Sequence, residues 1–139
     1  MKKLVVILLS FIMVLSLGIA AYAIEEEPEI NEDPIEEYTS ITSITSDLTK
    51  SGSTAVCNLA VIQKINLDSV KGTLKLMNSS GGIVSTKTGT FAKHGSTYTL
   101  SKSFTLPSSG TYKVKFTIKT YKNSTLKETA NGYTNTVTK

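Results

Sequence analysis

Tryptophan and arginine are missing from this 139-residue chain, and cysteine and histidine occur once each. Each scarcity closes off a class of function. Without arginine there is no guanidinium fork to read phosphates and base edges bidentately, so specific nucleic-acid recognition is not expected. Without tryptophan the best stacking platform for sugars and bases is gone, and only tyrosine can stand in. A single cysteine, Cys57, cannot close a disulfide within the chain. Stability must therefore rest on the apolar core, for which roughly 100 residues suffice. Cys57 shares parity with Leu59 and Val61, which predicts burial as a small apolar side chain.

The one histidine, His94, precedes Gly95-Ser96 and reads as a solvated residue in a loop. A catalytic triad needs a positioned nucleophile and an orienting acid, and no serine here has a nucleophile-elbow pattern around it. No Cys/His spacing suits zinc. The stretch "NEDPIEE" lacks the alternating ligands and central glycine of a calcium loop. Catalytic, cofactor-binding and metal sites are therefore not expected, and the chain does not read as an enzyme.

Acidic residues are crowded in one place and scarce elsewhere. Ile24 to Glu37 holds eight acids and no lysine, whereas from Tyr38 onward 13 lysines meet only Asp47, Asp68 and Glu128. With Pro28 and Pro34, the acidic stretch has little to bury and is expected to be a disordered spacer, 24–37. Ahead of it, Lys2 and Lys3 lead an apolar run from Leu4 to Ala20, and Ala21-Tyr22-Ala23 puts small residues at the −3 and −1 positions of a cleavage site. This pattern predicts a signal peptide, 1–23, and membrane contact only before its removal. No cysteine lies near the junction to carry a lipid. A secreted protein, extracellular or loosely wall-associated, is the expectation.

From Tyr38 to Lys139 the apolar period is two, with Thr, Val, Ile and Tyr in short runs between turn residues, which predicts strands. They are expected over Ile41–Lys50, Ala55–Gln63, Ser69–Met77, a polar Ile83–Ala92 (one edge strand or two short ones), Thr97–Leu106, Thr111–Tyr121 and Leu126–Thr138. Gly132 is read as a bulge and Lys102 as a break in its strand's apolar parity. About seven strands without a helix predict an all-β antiparallel sandwich over 38–139, with a small antiparallel barrel as the alternative.

"SGTYKVKF", from Ser109 to Phe116, resembles the sixth strand of immunoglobulin-like and fibronectin-III-like domains. The resemblance implies that Tyr112 forms a tyrosine corner, its hydroxyl bonding back to nearby backbone. It also implies that Val114 stands where such domains carry their second core cysteine, with Cys57 at the place of the first. The tryptophan of the third strand is missing. In the order signal peptide, acidic spacer, "AVCNLAV", "VKGTLKL", "SGTYKVKF", the chain also resembles small secreted proteins of Gram-positive bacteria that have no assigned function. That resemblance implies localisation and fold, and no activity.

The same strand alternates Lys113, Lys115 and Lys119 with its apolar residues. If it shares a sheet with Ser69–Met77, as immunoglobulin topology implies, Lys71 and Lys75 join them on one face. Such a face attracts anionic polymers such as wall teichoic acid, although exposed lysine also simply solubilises a sheet and blocks edge pairing. The functional expectation is a secreted, non-catalytic binding or adhesion module, its partner an anionic cell-wall polymer or a surface protein. The alternative is an assembly protein pairing through the exposed edge at Ile83–Ala92.

Overall fold

Alternation is what makes the strands. In Thr111–Lys122, Tyr112, Val114, Phe116, Ile118 and Thr120 are buried while every residue between them is half-buried or exposed. A strand sends successive side chains to opposite faces, so this pattern buries one whole face and wets the other. A computed structural model describes residues 38–139. The expected signal peptide and acidic spacer lie outside the described residues.

Among the described residues nine strands follow one another: β1 (Ile41–Ser51), β2 (Thr54–Gln63), β3 (Ser69–Asn78), β4 (Ile83–Thr90), β5 (Ala92–His94), β6 (Thr97–Thr105), β7 (Thr111–Lys122), β8 (Thr125–Tyr133) and β9 (Val137–Thr138). They form two antiparallel sheets, β1-β2-β6-β5 and β4-β3-β7-β8, with β9 pairing the start of β7. The sheets pack face to face and do not close into a barrel. The order is that of an immunoglobulin-like sandwich, strands A-B-E-D over C-F-G, with β4 as an additional strand beside C. The core lies between the sheets. Cys57, Val61, Leu74, Leu76, Val114 and Ile118 are among its fully buried members.

Several expectations are corrected. The polar segment takes the second of its two expected forms, a pair of strands, and runs on to His94. It breaks at Phe91, whose ring turns inward and whose N–H donates to the Val70 carbonyl at 2.9 Å. Phe91 thereby carries the chain from one sheet to the other, leaving β4 and β5 as edges of different sheets. The last predicted strand also breaks, after Tyr133. There the buried Thr134 accepts the Val114 N–H on its hydroxyl at 3.0 Å, and that hydroxyl donates to the Asn135 carbonyl at 2.8 Å. His94 belongs to β5 rather than to a loop, the turn beginning at Gly95, where φ is +62°. Gly132 is not a bulge. It stays in register opposite Phe116, and the β7–β8 ladder slips instead between Thr120 and Tyr121.

The β1/β8 side is fastened by side chains. Asn135 uses its amide on both backbone groups of Leu48, accepting from the N–H and donating to the carbonyl, each at 2.8 Å. Glu128 accepts the N–H groups of Thr39 and Ser40 at 3.0 and 2.9 Å, and the Ser40 hydroxyl as well. Burial raises the Glu128 pKa, but hydrogen bonds from Ser40, Thr39 and Ile41 favour the anion and carry it below the usual carboxylate range.

Candidate functional site

Five lysines come together on the outer face of the β4-β3-β7-β8 sheet. Register decides this. Strands β3 and β7 are direct neighbours, and their ladder sets Lys71 opposite Lys119, Lys75 opposite Lys115 and Met77 opposite Lys113. Directly opposite residues share a face, and the other face of both strands is core, with Leu74 opposite Phe116 and Leu76 opposite Val114. Lys71, Lys75, Lys113, Lys115 and Lys119 therefore all stand outward. Lys71, Lys115 and Lys119 are exposed, while Lys75 and Lys113 are half-buried.

Between the lysine rungs lies a threonine rung. Thr73 is opposite Thr117 on one side and Thr88 on the other. Thr117 donates to the Asn131 side-chain oxygen of β8 at 2.7 Å. Tyrosines mark the two ends of the face. The Lys71 ammonium lies 5.2 Å from the centre of the Tyr121 ring, and the Lys113 and Lys115 ammoniums lie 4.5 and 5.9 Å from that of Tyr133. Lysines held over aromatic faces keep their charge at the surface while their stems lie flat. A shallow depression of about 370 Å³ opens among Lys71, Thr73, Thr117, Lys119 and Tyr121.

Among the described residues, no carboxylate shares this face. Asp47 stands opposite Asn58 on the other sheet. Asp68 lies in the β2–β3 loop, accepting the Asn123 N–H, and Glu128 is committed to Thr39 and Ser40. Uncompensated like charges sum to a positive potential that reaches about a Debye length, ~10 Å at 0.1 M salt, before it is screened.

The remaining singled-out residues are structural in placement. The Tyr112 hydroxyl donates to the Ser108 carbonyl at 2.8 Å and lies 3.1 Å from the Ser108 hydroxyl. Cys57 and Val114 are both fully buried, on strands of opposite sheets. Burial pushes the Cys57 thiol up to about 11, with Asp47 adding to the rise. Among the described residues, no group of three His, Cys, Asp or Glu side chains is placed to hold a metal.

Three lysines escaped the sequence reading as a group. Lys87 lies opposite Leu74, Lys93 opposite Tyr98, and Lys102 opposite Cys57, all on inward parity. Lys87 lies 5.5 Å from the centre of the Phe104 ring and Lys93 lies 5.5 Å from that of Tyr98. The one signal in the sequence was Lys102 interrupting the parity of Leu100 and Phe104. Lys87 and Lys93 occupy a segment polar on both parities, which leaves its inner face unmarked.

Fold and face together define an immunoglobulin-like sandwich with one lysine-covered sheet. No protein-family model and no curated protein matches the chain. Among solved structures, part of Lactobacillus rhamnosus beta-glucuronidase is similar over 67% of this chain and 15% of that one, with a TM-score of 0.43 and 16% identity. A calcium-binding mutant of Bacteroides uniformis beta-glucuronidase 2 is similar over 65% of this chain and 12% of its own, with a TM-score of 0.46 and 18% identity. The apo beta-glucuronidase of Ruminococcus gnavus is similar over 68% and 15%, with a TM-score of 0.39 and 13% identity. The chain thus spans only 12% to 15% of the length of these enzymes.

Proposed function

We infer that the chain is a secreted, non-catalytic binding module that takes up an anionic cell-envelope polymer on its lysine face. The observation that carries this reading is the pairing of Lys71 with Lys119 and Lys75 with Lys115 across one ladder. Like charges directly opposite each other destabilise a sheet. A face needing only solubility is served as well by mixed signs, which avoid that repulsion. A polyanion lying along β3 and β7 removes the repulsion by neutralising both members of each pair, so the apparent defect becomes binding energy. Threonine hydroxyls between the rungs supply hydrogen-bond partners, and Tyr121 and Tyr133 bound the track.

The test is binding of purified wall teichoic acid to the full chain by calorimetry across a salt series. Affinity should fall steeply as salt rises, and Lys113→Gln with Lys115→Gln and Lys119→Gln should weaken it about tenfold or more, equivalent to about 1.4 kcal/mol. Binding that survives the triple substitution unchanged would remove the lysine face from the account.

A further inference from the structure

The two sheets have four outer edges, and they are not equivalent. On one side, β1 is occupied at Leu48 by Asn135, and Ser46 reaches across to the Tyr133 carbonyl at 3.4 Å. On the other, β5 is three residues long and covers β6 only from Thr97 to Thr99. The β8 edge is clasped through Glu128 by Thr39 and Ser40. The β4 edge runs for eight residues, contains no proline, and pairs only with β3.

Beneath that edge lie two of the inward lysines. Lys87 projects from β4 toward Phe104. Lys102 reaches in the opposite sense, from β6 to β4, where a Cβ on Gly89 would lie 2.9 Å from its Cε. Glycine at 89 is what admits that stem. Lys93 has oxygen partners, the Asn66 side chain at 3.1 Å and the Leu67 carbonyl at 3.2 Å. Lys87 and Lys102 have neither a hydrogen bond nor an ion pair among the described residues. Two lysines without a protein oxygen partner, Lys87 exposed and Lys102 half-buried, thus stand at the mouth between the sheets, beside the free edge of β4.

An inward charge on an edge strand is a guard against copies of itself. Two chains joined antiparallel through β4 would bring Lys87 and Lys102 of each together, and such like-charge contacts oppose pairing. The same arrangement favours a strand of opposite sign. Its backbone would complete the β4 ladder, and its inward side chains would meet the ammonium groups. Threonines 86, 88 and 90 present a neutral outward face, and Ile83, 57% exposed, offers an apolar contact at the strand's start.

We propose that the β4 edge is a docking edge for an extended acidic strand of a partner protein, which adds beside β4 and sets its acids against Lys87 and Lys102. Main-chain hydrogen bonds supply the affinity and the alternate acids the selectivity, the division of labour of strand addition. The site is independent of the lysine face, since it uses other lysines on the opposite side of the sheet.

The probe is a fluorescent peptide of about ten residues alternating glutamate with threonine, long enough to cover an edge strand. Beside it stand a lysine–threonine version and a glutamate–threonine version interrupted by prolines. Anisotropy is read with the full chain. The glutamate peptide should bind, and the proline-interrupted one should not, because proline removes ladder donors. Lys87→Glu with Lys102→Glu should weaken the glutamate peptide about tenfold and admit the lysine peptide, reversing the cross-strand charge pairing. Lys87→Thr, a milder change, should give a smaller loss in the same direction. Amide exchange at Thr86, Thr88 and Thr90 should slow on binding. The Lys113, Lys115 and Lys119 triple substitution should leave docking unchanged.

Equal binding of the proline-interrupted peptide, or loss of binding on the triple substitution alone, would reduce the effect to general attraction by the lysine face. Self-association of Lys87→Thr without peptide binding by the parent chain would leave the lysines as guards only. Either result overturns the proposal while leaving the polymer reading to its own test.

Discussion

Replacing Gly132 with alanine asks whether the Phe116 ring occupies the place of a missing side chain. Gly132 faces Phe116 across the β7–β8 ladder. A Cβ at this position would lie 2.4 Å from the Phe116 Cζ and 2.8 Å from its Cε2, so the methyl and the ring cannot both stay where they are. Phe116 is only 5% exposed, and its ring has to move against packed core. Overpacking of this kind costs about 1–3 kcal/mol. Alanine returns about 0.5–1 kcal/mol through lower backbone entropy in the unfolded chain. At the middle of both ranges the balance is a loss of about 1 kcal/mol, equivalent to a fall in Tm of about 4–8 °C for a domain of this size. Urea unfolding of parent and variant, followed by circular dichroism, gives the difference directly. Phe116→Leu supplies the control. In that background the ring is gone, and Gly132→Ala should become neutral or mildly stabilising, which the double-mutant cycle reports as a coupling of about 1–2 kcal/mol. A Gly132→Ala variant as stable as the parent would refute the reasoning, as would a penalty unchanged by Phe116→Leu.

Two further outcomes follow from groups already described. The Cys57 thiol is fully buried and pushed up to about 11, so at pH 8 about one molecule in a thousand carries the reactive thiolate. Native protein should label slowly with a thiol reagent and completely after denaturation, and fast native labelling would place Cys57 at the surface. Glu128, held below the usual carboxylate range, contributes stability that is fully present above its unfolded pKa of ~4.3 and is lost as pH falls through the lower folded value. Glu128→Gln should therefore be less stable than the parent at neutral pH. The gap between the two unfolding midpoints should narrow as pH is lowered below ~4.3, and a gap independent of pH would exclude the carboxylate as its source.

The strands that were legible are those whose apolar residues keep one parity from end to end. "AVCNLAV" and "TYKVKFTI" state their buried face outright, and β2, β3 and β7 begin and end within a residue or two of the reading. Legibility stopped where both parities are polar. In β4 and β5, Lys87 and Lys93 point inward because a sandwich edge lets a long aliphatic stem lie on core rings while its charge reaches water. Composition cannot register that. Gly132 was misread because a glycine in a strand signals either a bulge or a close approach, and only the register with Phe116 chooses between them. The lysine face was half legible. The alternation was in the sequence, whereas the facing of Lys71 on Lys119 and of Lys75 on Lys115 depends on a ladder between β3 and β7, which are far apart in the chain.

The fastening of the β1/β8 side has a mechanical consequence. Ser40 lies beside Thr120 near the end of β7, and Lys139 exchanges backbone hydrogen bonds with Gly110 just before its start. The two points are therefore separated by most of the length of a twelve-residue strand, about 30 Å or more. Tension applied between them runs parallel to the strands. Glu128 on Thr39 and Ser40, Asn135 on Leu48, and the β1–β2 ladder are all loaded sideways and together rather than peeled one bond at a time. Under such tension the side-chain clasps would hold the first strand along its whole length, so that it yields by shear and not by peeling.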